Sequence, residues 1–329
     1  MKKALKVLVF LLLAVVILAA GGVTYLKLAK PNVGKAPDLK IAATPERVER
    51  GRYIANHVAV CIDCHSTRDW TRFSGPVVEG TFGKGGEKFG PELGFPGSFY
   101  SRNITPAGIK DWTDGEIFRA VTCGVSKDGG PLFPLMPYHY YGAADTEDIY
   151  SVIAYIRTLA PIVNTPPESK PDFPFSLIMR TIPAKGVPGH RPAPNDSIAY
   201  GSYLVNLAAC VECHTKVDDK AQLIKGTEFG GGREFALTGS VVHSANISPD
   251  ATGIGMWSRE QFIDRFKQYL KPENVVGGLK PTDNNSIMPW TMYAGMSEAD
   301  LSCIYQYLKT VRPIENTVVK YTPKLTAAR

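Results

Sequence analysis

Two copies of one short pattern stand out in the chain of 329 residues: Cys61-Ile62-Asp63-Cys64-His65 and Cys210-Val211-Glu212-Cys213-His214. Two thiols three positions apart can each form a thioether with one vinyl group of the same porphyrin, and the histidine that follows reaches the iron as an axial ligand. With six Cys and six His in the chain, about 0.002 such pentads are expected after shuffling. Chance therefore does not explain two. The chemical rival is zinc, because C-x-x-C pairs can converge four ligands on one metal. A histidine fixed directly after each second Cys is not the usual zinc arrangement. The pentads predict two covalently bound haem c groups, one on Cys61 and Cys64 and one on Cys210 and Cys213, with His65 and His214 on the irons.

Each iron then has a second axial position. In electron-transfer cytochromes c it is commonly Met, whose soft thioether favours the reduced iron. Between His65 and residue 160 the chain has a single methionine, Met136, in the proline-braced stretch Phe133-Pro134-Leu135-Met136-Pro137. In the second half Met256, Met288, Met292 and Met296 compete, and Met288 is the one followed by Pro, as Met136 is. Met136 and Met288 are the expected ligands, and core filling is the expectation for the other three. His139 is the alternative on the first iron, but Thr291 stands at the equivalent place in the second half. His57, His139 and His243 are read as surface or hydrogen-bonding residues. Cys123 and Cys303 do not correspond between halves and are read as buried free thiols.

The elements that position these residues occur twice. Gly51-Arg-Tyr53 matches Gly201-Ser-Tyr203 ahead of the pentads, and Asn103-Ile-Thr-Pro106 matches Asn246-Ile-Ser-Pro249 after them. Trp112 matches Trp257, Met136-Pro137 matches Met288-Pro289, and Asp148 to Pro161 matches Asp300 to Pro313. This is an internal repeat. Asn103/Asn246 and Trp112/Trp257 fit either support of the haem edge or an Asn turn with a packed aromatic.

Local signals place helices around the repeat. Thr44-Pro45 predicts a helix start with Thr as N-cap and Pro at the first position. Thr113 with Glu116, and Ser258 with Gln261, have capping-box spacing. Ile149, Val152, Ile153 and Ile156 form one apolar helical face. Residues 66–101 are rich in Gly and Pro and predict a long loop wrapped on the haem. Residues 161–195 hold nine prolines and predict a linker between domains.

Residues 7–26 carry no charge, a length that suits one membrane-spanning helix. Lys2, Lys3 and Lys6 before it predict a cytoplasmic N-terminus with the rest outside. The apolar run is long for a signal core, which favours an uncleaved anchor; Ala19-Ala20 supports the competing reading of a cleaved signal. The formal charge of +6 comes largely from this segment, since residues 1–27 hold four Lys and no acid, leaving 33 basic residues (37 less those four) against 31 acidic ones elsewhere. The absence of a Lys/Arg run interleaved with aromatics argues against a nucleic-acid partner.

The motifs Gly201-Ser-Tyr-Leu-Val before the second pentad, Asn246-Ile-Ser-Pro, Thr252-Gly-Ile-Gly-Met-Trp257, Met288-Pro-Trp and Tyr305-Gln-Tyr-Leu resemble the membrane-associated multihaem cytochrome c subunits of bacterial alcohol, aldehyde and gluconate dehydrogenases. The resemblance covers both haem regions. It implies small all-α domains of the class I cytochrome c type, and it carries over Cys61, Cys64, His65 and Met136, and Cys210, Cys213, His214 and Met288. Those subunits often carry three haems and a different membrane association, so the two pentads and the N-terminal helix are departures from the group.

The expected architecture is therefore all-α: a membrane anchor (1–30), one cytochrome c domain (40–162), a Pro-rich linker (163–195) and a second cytochrome c domain (196–320). The expected function is electron transfer without substrate conversion, on the periplasmic side of the inner membrane. The donor would be a dehydrogenase or similar complex, and the acceptor an oxidase or soluble cytochrome. A dihaem enzyme, peroxidase-like or thiosulfate-oxidising, is the alternative; it needs an axial position that opens.

Overall fold

The structure, a computed structural model, describes residues 2–237 and 239–324. It opens with α1 (Lys2–Leu28), none of whose residues is buried and which has the length and composition of a membrane span or of a signal sequence. The first half continues with α2 (Pro45–Tyr53), a π-helical turn (Ile54–Val58), α3 (Cys61–Cys64), α4 (Pro106–Ile109), α5 (Asp114–Cys123), α6 (Tyr138–Gly142) and α7 (Thr146–Ile156). A short α8 (Phe175–Ile178) lies in the proline-rich segment. The second half holds α9 (Ser197–Leu207), α10 (Cys210–Cys213), α11 (Arg259–Lys267), α12 (Trp290–Tyr293) and α13 (Glu298–Leu308).

The expected helix starts are present, for the expected reasons. Thr44 accepts the Arg47 amide with Pro45 inside the first turn, and both capping boxes close, Thr113 with Glu116 and Ser258 with Gln261. In each half the helix before the pentad crosses the last helix of that half. Glycine permits the approach. A Cβ on Gly51 would lie 1.8 Å from the Ser151 carbonyl oxygen, and one on Gly201 2.0 Å from that of Cys303. The two pairs are repeat equivalents, so the close crossings of α2 with α7 and α9 with α13 are one feature built twice.

Helices dominate, but the all-α expectation omits two small antiparallel sheets, β1 (Lys88–Phe89), β2 (Gly97–Tyr100) and β3 (Lys170–Pro171), then β4 (Glu234–Leu237), β5 (Ser240–His243) and β6 (Tyr321–Pro323). In each sheet the last strand comes from the chain beyond the final helix of that half. Strands of two to four residues in Gly-rich loops give no sustained alternation to read from sequence.

Buried residues of both halves form one continuous cluster. It contains Ile54, Val58, Ile62 and Ile153 from the first half and Leu204, Val205, Leu301 and Leu308 from the second. Each such side chain contributes about 1.5–3 kcal/mol by leaving water. The end of the proline-rich segment is strapped down rather than loose. Gly189 donates its amide to the Ala143 carbonyl, and the Arg191 guanidinium pairs with Asp148 at 2.6 Å.

Candidate haem sites

Each pentad begins with backbone strain. Val60 and Ala209, the residues just before the first cysteines, adopt left-handed conformations with φ of 46° and 50°. That region is costly for a β-branched residue such as Val60. It turns the chain sharply from the preceding helix into α3 and α10. The pentads then close identically: His65 donates its amide to the Cys61 carbonyl and His214 to that of Cys210, both at 3.0 Å.

The imidazoles are held the same way. His65 Nδ1 lies 2.7 Å from the Arg102 carbonyl oxygen, and His214 Nδ1 lies 2.7 Å from that of Ala245. A carbonyl only accepts, so the proton resides on Nδ1 and the lone pair on Nε2. Burial depresses the pKa of both histidines, against the opposing pull of those carbonyls, which keeps the rings neutral. A neutral imidazole braced at Nδ1 is the form that ligates a metal through Nε2.

The bracing carbonyls are fixed by the recurrent asparagines. Asn103 Oδ1 accepts the Thr105 amide and its Nδ2 donates to the Ile162 carbonyl. Asn246 Oδ1 accepts the Ser248 amide, and its Nδ2 donates to Ile314. These side chains stitch the loop to the chain beyond the last helix, one residue after the carbonyl that orients each histidine. Trp112 and Trp257 are partly buried and pack against the core. Gly85 and Gly231 complete the arrangement by donating to the His65 and His214 carbonyls at 2.8 Å. A Cβ on either would sit 2.4 Å from the backbone of Arg102 or Ala245.

The four pentad thiols are unpaired cysteines. Burial pushes the Cys61, Cys64 and Cys210 thiols up to about 12, and raises Cys213 as well. Cys123 and Cys303 are buried free thiols. Among the described residues, no group of three or more His, Cys, Asp or Glu side chains is disposed to hold a metal ion. Each pentad presents one imidazole, His65 or His214, beside its own pair of thiols.

Met136 and Met288 are both half-buried and directly precede a proline. Their carbonyls accept the amides of Tyr138 and Trp290 at 2.7 and 2.8 Å, so the two Met-Pro turns match. The Met136 turn is braced by Phe133, stacked on Phe99 with ring centroids 3.7 Å apart and met edge-on by Phe175. Of the other methionines, Met296 is core and Met292 packs against it. Met256 corrects the core-filling expectation, being 82 % exposed. It stands in the turn before Trp257, where no neighbouring element covers it.

Sequence reasoning missed two tyrosines that tie the Met turns to the pentads. Tyr141 donates its hydroxyl to the Ala59 carbonyl at 3.0 Å, and Tyr293 donates to that of Ala208 at 3.4 Å. Both pairs are repeat equivalents. The spacing of 152 residues that relates Met136 to Met288 also relates the tyrosines, so a signal was present.

The halves also differ. Asp63, inside the first pentad, is 3 % exposed and pairs with the equally buried Arg68 at 3.1 Å. Burial outweighs that partner and raises the Asp63 carboxyl to about 6. Glu212 in the second pentad accepts the Tyr140 hydroxyl at 2.7 Å, so α6 of the first half touches the second pentad. His57 bonds the Met292 carbonyl at 2.9 Å in the opposite direction. His139 is exposed, and His243 lies 3.7 Å from Glu234.

Two thiols followed by a neutral, carbonyl-braced imidazole are the donor set that a covalently bound haem would need, and here they stand twice on a mainly helical frame. The chain is similar to known cytochrome c proteins. The chain is 31% identical over 315 residues to the fructose dehydrogenase cytochrome subunit of Gluconobacter japonicus, covering 88% of this chain and 58% of the relative. It is 29% identical to the gluconate 2-dehydrogenase cytochrome c subunit of Pantoea cypripedii, covering 80% of this chain and 59% of the relative. It is 27% identical to a dihaem cytochrome c-type protein of Cereibacter sphaeroides, and that match covers 92% of this chain and 97% of the relative. No protein-family model matches. The chain's homologues are thus cytochrome c subunits of dehydrogenases and a dihaem cytochrome c, and it spans about three fifths of the length of the dehydrogenase subunits.

Proposed function

We propose that this chain is a membrane-anchored dihaem cytochrome c that relays electrons and converts no substrate itself. The observation that carries the reading is the repeated donor set: two pentads whose histidines are each fixed through Nδ1 at 2.7 Å to a backbone carbonyl. Cys61 and Cys64 would hold one haem and Cys210 and Cys213 the other. His65 with Met136, and His214 with Met288, would be the axial ligands. The haems supply one-electron iron chemistry when bound.

On this reading residues 40–162 and 196–320 are two class I cytochrome c domains joined by the linker 163–195. Residues 1–30, containing α1, anchor them at the outer face of the inner membrane. A dehydrogenase is the proposed donor, in keeping with the names of the relatives, and an oxidase or soluble cytochrome the acceptor. With Met136 and Met288 as ligands, neither iron would keep a vacant position for peroxide or thiosulfate. The protein's own contribution is to orient the two imidazoles, hold the two Met turns and exclude water from the space between them. Haem staining after denaturing electrophoresis tests the attachment. The intact protein should hold two haems and the Cys210→Ala/Cys213→Ala variant one; loss of both or neither would overturn the assignment.

A further inference from the structure

Ser74 belongs to the first half by sequence, but its side chain serves the second. It is fully buried and holds a φ of 68°, a left-handed conformation that costs a residue with a Cβ about 1–2 kcal/mol. Its hydroxyl donates to the Met288 carbonyl at 2.6 Å and accepts the Trp290 amide at 2.9 Å. Its own amide donates to Asn285 Oδ1 at 2.8 Å, and Asn285 Nδ2 reaches back to the Trp70 carbonyl at 3.2 Å. One hydroxyl thus fixes the peptide groups on both sides of Pro289, the first of them carrying the Met288 carbonyl.

The contact is part of a larger insertion. Phe73 stacks on Tyr269 at 5.6 Å and donates its amide to the Val276 carbonyl, while Leu279 donates to that of Thr71. The corresponding loop of the second half is shorter. Its closing bridge joins Val217 to Leu223, against Arg68 to Val77 in the first, three residues fewer (six steps against nine). Among the described residues, no hydrogen bond runs from residues 217–223 to the Met136 turn. Met136 has the stacked Phe133 instead. The two Met turns are alike in their own hydrogen bonds and braced by different means.

We propose that Ser74 is a positioning residue for the second haem: through the Met288 carbonyl and the Trp290 amide, the first half holds the Met288 thioether in place. The inference rests on Met288 being an axial ligand. A sulfur held at the iron favours the reduced state, so releasing it lowers the potential. Burial and a left-handed backbone at a residue with no bulk to contribute to the core are accounted for by this role.

The test compares redox titrations and the sulfur-to-iron charge-transfer band of the fully haem-loaded protein with those of four variants. Met136→Ala and Met288→Ala identify which component belongs to which haem. Ser74→Gly keeps the backbone conformation and removes the hydroxyl; Asn285→Ala loosens the same clamp from its other side, should Ser74→Gly load haem poorly. Both are expected to lower the midpoint of the component that Met288→Ala removes and to weaken its share of the band, leaving the Met136 component unmoved. A shift of the Met136 component, of both equally, or of neither overturns the inference. If Met288→Ala leaves the band intact, the ligand assignment itself fails, and that failure is seen separately from any effect of Ser74.

Discussion

Tyr53 donates its hydroxyl to Asp300 at 2.6 Å, joining the helix before the first pentad to the last helix of the second half. The relationship is mirrored: Tyr203 donates to Asp148 at 2.6 Å. Tyr53 also accepts the Ser297 amide at 2.9 Å, and Tyr203 that of Asp145 at 3.4 Å. Tyr53 corresponds to Tyr203 and Asp148 to Asp300 in the repeat, so the two halves meet through an approximate two-fold relation, each giving the other what it receives.

Because this seam joins the halves, they should unfold together. A hydrogen bond to a carboxylate contributes about 1.5–3 kcal/mol. Tyr53→Phe is expected to lower the denaturant midpoint of a single transition by that order without changing its slope. Two transitions in the unmodified protein, followed by probes placed separately in the two halves, would contradict a shared seam.

Asp148 should make the protein acid-sensitive. Burial by itself pushes its carboxyl up, but Arg50, Tyr203 and Arg191 together hold it below the ordinary carboxylate range. A depressed folded pKa means the unfolded state binds the proton more readily. The contribution is therefore fully present above the unfolded value of about 3.9 and lost as pH falls through the lower folded value. Asp148→Asn should lower stability at neutral pH and flatten the acid limb of stability against pH. An unchanged acid limb would count against the Arg50–Asp148–Arg191 cluster as its source.

Gly51→Ala and Gly201→Ala set two effects against each other. Alanine gains about 1 kcal/mol of helix propensity, but its Cβ would lie 1.8 or 2.0 Å from a backbone carbonyl that cannot move aside alone. Overpacking costs about 1–3 kcal/mol or more, so net destabilisation is expected in both. Thermal unfolding checks it, and a stabilised variant would show that the helices part easily.

Removal of residues 2–28 behind a cleavable signal should release the protein into the soluble periplasmic fraction with its absorption spectrum unchanged. N-terminal sequencing of the full-length product should still find this segment. A mature chain beginning near Gly21 would identify it as a removed signal.

What could be read from the sequence was what residue identity carries. The pentads, the Met-Pro turns and both capping boxes are local patterns whose chemistry needs particular side chains. The carbonyls of Arg102 and Ala245 had no such signature, because a backbone oxygen is the same at every residue; only the recurrent Asn103 and Asn246 beside them left a trace. Tyr53, Tyr203, Asp148 and Asp300 were all visible as repeat partners. A linear comparison aligns Tyr53 with Tyr203, however, and cannot show that each bonds across to the other half. Ser74 was invisible for a related reason, since it lies in the stretch where the halves differ in length.

In the function proposed above, the protein accepts and passes on electrons through two haems and converts no substrate. A reductive titration of the purified, haem-loaded protein, followed by mixing with an oxidised acceptor cytochrome, tests it most directly. The expected result is two electrons taken up per chain, both delivered to the acceptor, with no turnover of alcohols, aldehydes, thiosulfate or hydrogen peroxide by the protein alone. Uptake of a single electron, or steady turnover of any of these compounds that is lost when Met136 or Met288 is changed, would contradict it.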